Sequence, residues 1–126
     1  MPPAKDYREL RVYQLAFESA IQIYEISKTF PVEERYSLTD QIRCSSRSIC
    51  ANLAEAWRKR RYPKSFVSKL SDADGEAAET LVWLDFALRL GYLSAEAHAS
   101  LMGQYNHICS QLTLMMAEPE KWTPKK

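Results

Sequence analysis

The residues whose type and spacing could do chemistry in this chain are cations. From Ile49 to Phe66 the sequence reads ICANLAEAWRKRRYPKSF, an apolar-rich helical stretch that ends in Arg58, Lys59, Arg60, Arg61 and Lys64. On a helix extended through this stretch, Arg43, Arg47, Arg58 and Arg61 fall within about 60° of one another. Small Ala51 and Ala54 lie between them on that stripe. The spacing predicts a basic groove along one helix, with Lys59, Arg60 and Lys64 at its end. Guanidinium and ammonium groups at this density suit contact with RNA or DNA phosphates. Two other readings stay open. Cations are favoured at a helix C-terminus by about 0.3–1 kcal/mol each. They also have counter-charges near in sequence, in Asp72, Asp74, Glu76 and Glu79 on the following helix. Five acids between residues 72 and 85 nearly cancel five bases between 58 and 64.

Other chemistry finds little support. His98 and His107 face opposite sides of one helix, so they do not share a metal. Cys44 and Cys50 are about 120° apart on theirs, with no CxxC, and Cys109 reads as a core thiol. There is no GxGxxG, no Walker loop and no nucleophile elbow. Acids are plentiful, but none pair in a recognisable pocket. The expectation is no metal, no cofactor and no enzymatic activity.

The elements that must carry these residues are helices. β-branched alternation is absent, and helical periodicity fills the stretches between Gly and Pro. Four helices are predicted, over 8–29, 38–61, 64–90 and 95–117. Pro31 stops the first. Ser37 and Asp40 read as an N-cap pair for the second. Pro63 suits the first position of the third. Gly91 closes the third and Ser94 caps the fourth. Short connections make neighbours antiparallel, giving an up-down-up-down four-helix bundle of one all-α domain, residues 1–126, ordered over about 7–117. MPPAK and EPEKWTPKK read as frayed ends.

The predicted seams are Leu38, Ile42, Ile49, Leu53 and Ala56 in the second helix. In the third they are Phe66, Leu70, Ala73, Ala77, Leu81, Leu84 and Leu88, and in the fourth Ala97, Leu101, Tyr105, Ile108, Leu112 and Met115. Asp74 sits at the edge of the third seam and needs a partner, for which Arg43 and Arg47 are candidates. Asn52 and Glu55 are placed to bridge helices. The first helix is different. Arg11, Gln14, Glu18, Gln22 and Glu25 take about 80° of arc and apolar residues about 240°, far more than one bundle face needs. Tyr13, Phe17, Ala20, Ile21 and Tyr24 form one side of that arc, and Val12, Leu15, Ala16, Ile23 and Ile26 the other. Val82, Trp83, Phe86 and Leu90 add a second surplus off the third seam. The surplus predicts a homo-oligomer.

Composition bounds the rest. The chain has 126 residues, 46% hydrophobic and 26% charged, with a net charge of +1, so any basic function is local. No apolar run approaches the ~20 residues of a membrane span, and nothing at the N-terminus directs export. Three cysteines argue against a disulfide framework and for a reduced, cytoplasmic setting.

Residues 7–115 resemble the four-helix-bundle family of proteins encoded in intervening sequences of bacterial 23S ribosomal RNA, with accessory proteins of diversity-generating retroelements as distant relatives. The resemblance rests on Asn52-Leu53-Ala54-Glu55-Ala56, on Glu76, Glu79 and Thr80, and on the Gly91-Tyr92-Leu93 turn. Ala56 stands where the family usually has Gly, and Asp74 where it usually has Leu. The resemblance implies a homo-oligomer, typically a pentamer, with no enzymatic activity. The retroelement relatives imply nucleic acid and a reverse transcriptase as partners. Two functions remain: an oligomeric scaffold that contacts RNA or DNA, and a protein-interaction scaffold that does not.

Overall fold

The structure, a computed structural model, describes residues 4–124. The outermost residues of the two expected frayed ends lie outside the described residues. Four helices form, α1 (Arg11–Ser27), α2 (Leu38–Arg58), α3 (Pro63–Arg89) and α4 (Ala95–Ala117), with no strand among the described residues. No helix among them is long and apolar enough to cross a membrane. α1 packs on α2 and α4, and α3 packs on the same two.

The helix ends follow local chemistry. Asp6 accepts from the Tyr7 amide and caps a 3-10 turn, Tyr7–Glu9, so α1 begins later than its periodicity suggests. Pro63 is the first residue of α3. Gly91 adopts φ +83°, a conformation that suits glycine. Its amide bonds to the Leu88 carbonyl at 3.0 Å and that of Tyr92 to Ala87 at 2.8 Å, which closes α3 in a Schellman motif. Ser94 Oγ accepts from the Ala97 amide at 3.1 Å and starts α4. The Ser37–Asp40 capping pair does not form. The Ser37 side chain makes no capping bond, and Glu34 Oε1 accepts from the Leu38 amide instead, at 3.3 Å. Glu34 Oε2 accepts from the Tyr92 hydroxyl at 2.9 Å, tying the start of α2 to the turn after α3. The C-terminal segment is not wholly frayed either, since Pro119–Lys121 form a 3-10 turn and Trp122 packs against the core.

The core holds the predicted seam of α2 in full and that of α4 from Leu101 to Met115. In α3 the seam holds at Phe66, Leu70, Ala73, Ala77 and Leu84 and departs at two positions. Leu81 is half-buried and Leu88 exposed, while Thr80 and Ala87 take the enclosed positions. The cause is close packing of small residues on α2 and α3: Ser45 and Thr80 share a hydrogen bond of 2.8 Å, both buried. A larger side chain at position 80 would hold the helices apart. Thr80→Val keeps the shape, removes the hydroxyl and deprives Ser45 of its cross-helix partner. It is expected to cost about 1–3 kcal/mol, whereas the double change with Ser45→Ala should cost clearly less. Chemical denaturation of the three variants checks this, and equal losses in the single and double variants would deny the pairing.

Other pairings also differ from expectation. Asp74 is half-buried beside Cys109, whose thiol is pushed up by burial first and by this carboxylate second. It meets neither Arg43 nor Arg47, because Arg43 turns toward α1. Asn52 donates to the Ser48 carbonyl within α2 rather than across helices. Glu55 does bridge, to Lys69 Nζ at 2.9 Å. Cys109 is half-buried rather than fully enclosed.

Candidate nucleic-acid interface

The basic block occupies the turn between α2 and α3. Arg58 is the last residue of α2, and Lys59 caps it in a non-helical conformation. The helix does not run on to Arg61, so Arg61 lies in the turn and not on the stripe of Arg43, Arg47 and Arg58. Lys64 falls in the first turn of α3. A helix C-terminus favours Arg58 and Lys59, but the positive N-terminal end of α3 disfavours Lys64. Helix-end electrostatics therefore account for only part of the block.

Arg60 is half-buried. Its guanidinium lies 4.0 Å from the centre of the Trp57 ring, and Nη1 donates to the Trp57 carbonyl at 2.8 Å. Arg58, Lys59, Arg61 and Lys64 are exposed. Arg58, Arg60 and Arg61, with Tyr62 and Pro124, line a shallow polar cavity of ≈ 260 Å³.

Ion pairing with the acids of α3 does not form. Among the described residues, no carboxylate lies within ion-pair distance of the five cations from Arg58 to Lys64. The register of the α2–α3 pair explains this. Glu55 stands opposite Lys69 and Ser45 opposite Thr80, so the acids at 72, 74, 76 and 79 face the middle of α2, below the turn. Of these acids only Asp72 has a cation in ion-pair range among the described residues, Lys69 at 3.8 Å, which also holds Glu55 at 2.9 Å. Glu76, partly desolvated and beside Glu79, has its carboxyl pushed above the usual range.

Arg43 and Arg47 lie at the other half of α2. Fifteen residues separate Arg43 from Arg58, about 22 Å of helix. Arg43 is held by α1: Nε donates to Ser27 Oγ at 2.8 Å, and the guanidinium sits 4.7 Å over the Tyr24 ring. Arg47 is exposed, 5.8 Å from the same ring. The seven cations thus form two groups rather than one groove. Periodicity on α2 alone overlooks Arg35, Tyr36 and Tyr62, which lie just outside the helix. The signal for them is a repeated dipeptide, since Arg35-Tyr36 precedes α2 and Arg61-Tyr62 follows it.

Of the remaining candidates, His98 Nε2 meets Asp85 Oδ1 at 2.8 Å, joining α3 to α4, and His107 is exposed elsewhere on α4. Cys50 is half-buried, and burial pushes its thiol up to about 11, which suppresses the thiolate.

Comparison with known proteins agrees with this four-helix architecture. The profile of the 23S rRNA-intervening sequence protein family matches residues 8–114. The fold is similar to the crystal structure of a protein of unknown function from the S23 ribosomal protein family of Bacteroides thetaiotaomicron. The TM-score is 0.76 and the identity 29%, over 84% of this chain and 95% of that one. No curated protein matches the chain. The match takes in α1, α2, α3, most of α4 and the turn that carries the basic block, and on that extent the chain belongs to the family of 23S rRNA-intervening sequence proteins.

Proposed function

We propose that the protein is a non-enzymatic oligomer of up-down-up-down helical bundles whose basic turn contacts RNA or DNA phosphates. The observation that carries this reading is the unpaired charge: five cations, Arg58 to Lys64, with no carboxylate in ion-pair range among the described residues. Such a cluster creates a local positive potential that the near-neutral total conceals. Assembly would repeat the cluster around the oligomer, so a weak contact per copy becomes strong binding by avidity. Three free thiols suit a reduced, cytoplasmic compartment.

The surplus apolar surfaces support self-association. Phe17, Ile21 and Tyr24 on α1 are exposed, as are Val82, Phe86 and Leu90 on α3. Scattered apolar side chains are normal on a surface, but two grouped sets mark interfaces. α1 and α3 do not pack on each other, so the sets lie on different sides. One set seated on the other is a head-to-tail contact, which closes into a ring where the rotation permits. The family resemblance implies five copies. Light scattering at micromolar concentration is expected to give several times 14.6 kDa; a monomer mass overturns the assembly.

A second reading is a protein-interaction scaffold without nucleic-acid binding, with a reverse transcriptase as the partner by family analogy. It is favoured by an apolar groove of ≈ 430 Å³ along α1, lined by Tyr13, Phe17, Ala20, Ile21 and Tyr24, with Cys50 and Arg47 at its edge. A gel shift with RNA and DNA at two salt concentrations separates the two. Binding that weakens with salt supports the first, and no shift at low salt leaves the second.

A further inference from the structure

The corner where α1 meets the start of α2 holds a cavity of ≈ 560 Å³, within the ~300–1,000 Å³ usual for small-ligand sites. Its wall carries three cations, Lys28, Arg35 and Arg43, and one acid, Asp40. That carboxylate accepts only a long, weak bond from the Cys44 thiol, at 3.8 Å on Oδ1, and the three cations outnumber it. Lys28 pairs with Glu25 at 3.3 Å. Arg35 and Arg43 have no carboxylate in ion-pair range among the described residues.

Arg43 is fixed in place. Besides the Ser27 bond, Nη2 donates to the Tyr24 carbonyl at 3.4 Å. Ser27 is only 2% exposed, so the anchor is rigid. A guanidinium has five N–H donors, and these two bonds leave most of them free. A half-buried cation without a counter-ion is costly, and one already oriented loses little further freedom when an anion arrives. Beside it stands Tyr36, 83% exposed, with the Arg35 guanidinium 5.9 Å from its ring centre. A pinned guanidinium, a second arginine and a free aromatic face together suit a phosphate linked to a flat ring.

We propose that this cavity binds one nucleotide of a single-stranded nucleic acid, its phosphate on Arg43 and Arg35 and its base stacked on Tyr36. The partner class rests on the nucleic-acid reading above. The site itself does not, because it lies toward the opposite end of α2 from the basic turn, with Arg43 about 22 Å and Tyr36 roughly 30 Å away along the helix axis. Bases in a duplex are already stacked and paired, so the site prefers single strands. The apolar groove on the other side of Tyr24 remains free for a second copy.

The test uses the intact oligomer and a single-stranded RNA of about eight nucleotides carrying 5-iodouridine, photocrosslinked and mapped by mass spectrometry. The expected adduct is on Tyr36, and an unlabelled single strand suppresses it where a duplex does not. Tyr36→Ala is expected to weaken strand affinity by roughly 5- to 150-fold, the loss of one stacked base, and to leave an abasic strand of equal length unaffected. Arg35→Gln weakens both strands. Replacing Arg58, Lys59, Arg60 and Arg61 together by Gln lowers affinity for every strand yet keeps the Tyr36 adduct. Adducts confined to Trp57 and Tyr62, or unchanged binding by Tyr36→Ala, overturn the proposal. A Tyr36 adduct with undiminished affinity in the four-Gln variant sustains it and overturns the role of the basic turn instead. Binding of a free nucleoside monophosphate as tight as that of the strand overturns the strand as ligand.

Discussion

Leu84→Ala is expected to lower the unfolding free energy by about 2–5 kcal/mol, and Leu81→Ala by clearly less. Leu84 is fully enclosed, 0% exposed, so truncation opens a cavity among side chains that cannot all move to fill it. Leu81 sits one turn away at the edge of the core, half-buried, where neighbours and water can relax into the space. Both variants belong in one denaturation series at one protomer concentration, because the proposed assembly would add concentration-dependent stability to each. Equal losses, or the larger loss at Leu81, would place the α3 seam on Leu81 and Leu88 after all.

The second large effect is electrostatic. If the five cations between Arg58 and Lys64 each meet a phosphate of single-stranded RNA, the slope of log affinity against log salt is about −3.5, and a fourfold rise in salt weakens binding roughly a hundredfold. Replacing Arg58, Lys59, Arg60 and Arg61 together by Gln should reduce the steepness of that slope by about 2.8, the share of the four cations removed. Arg58 ends α2, Lys59, Arg60 and Arg61 lie in the turn, and none makes an ion pair among the described residues, so the proposed oligomer is expected to persist. Light scattering of the variant verifies that before binding is measured. An unchanged slope removes the basic turn from the interface. Loss of assembly would instead mean that the block pairs with acids of a neighbouring copy.

The helices were legible because their signals are local. Pro63, Gly91 and Ser94 act on the backbone within a residue or two, and the apolar spacing of α2 and α4 needs only a period. The α3 seam was legible at Phe66, Leu70, Ala73, Ala77 and Leu84 and missed at Leu81 and Leu88, where α2 and α3 come close and the enclosed residues are the smaller neighbours Thr80 and Ala87. The cap at Leu38 was misread because the accepting oxygen belongs to Glu34, in a different turn. The basic residues were found, but their grouping was not. Periodicity carried Arg61 along a helix that ends at Arg58. The fate of the acids depended on the α2–α3 register, which the order of residues alone does not specify. Arg35 and Tyr36 escaped notice because they become part of a site only when α1 folds Ser27 and Tyr24 against Arg43.

The α2–α3 hairpin has a consequence for how the chain reaches its structure. Its turn is short, from Lys59 to Tyr62, and its interface is the most extensive in the molecule. Closing a short loop costs little chain entropy, and contacts near in sequence form soonest. The hairpin is therefore expected to close early, and its vertex carries five like charges within seven residues of chain. Mobile ions that screen this crowding ease passage over the folding barrier. The same ions would compete with the phosphates proposed to contact the finished turn. Salt is thus expected to hasten folding and, where the turn contacts nucleic acid as proposed, to loosen that contact, through one set of side chains.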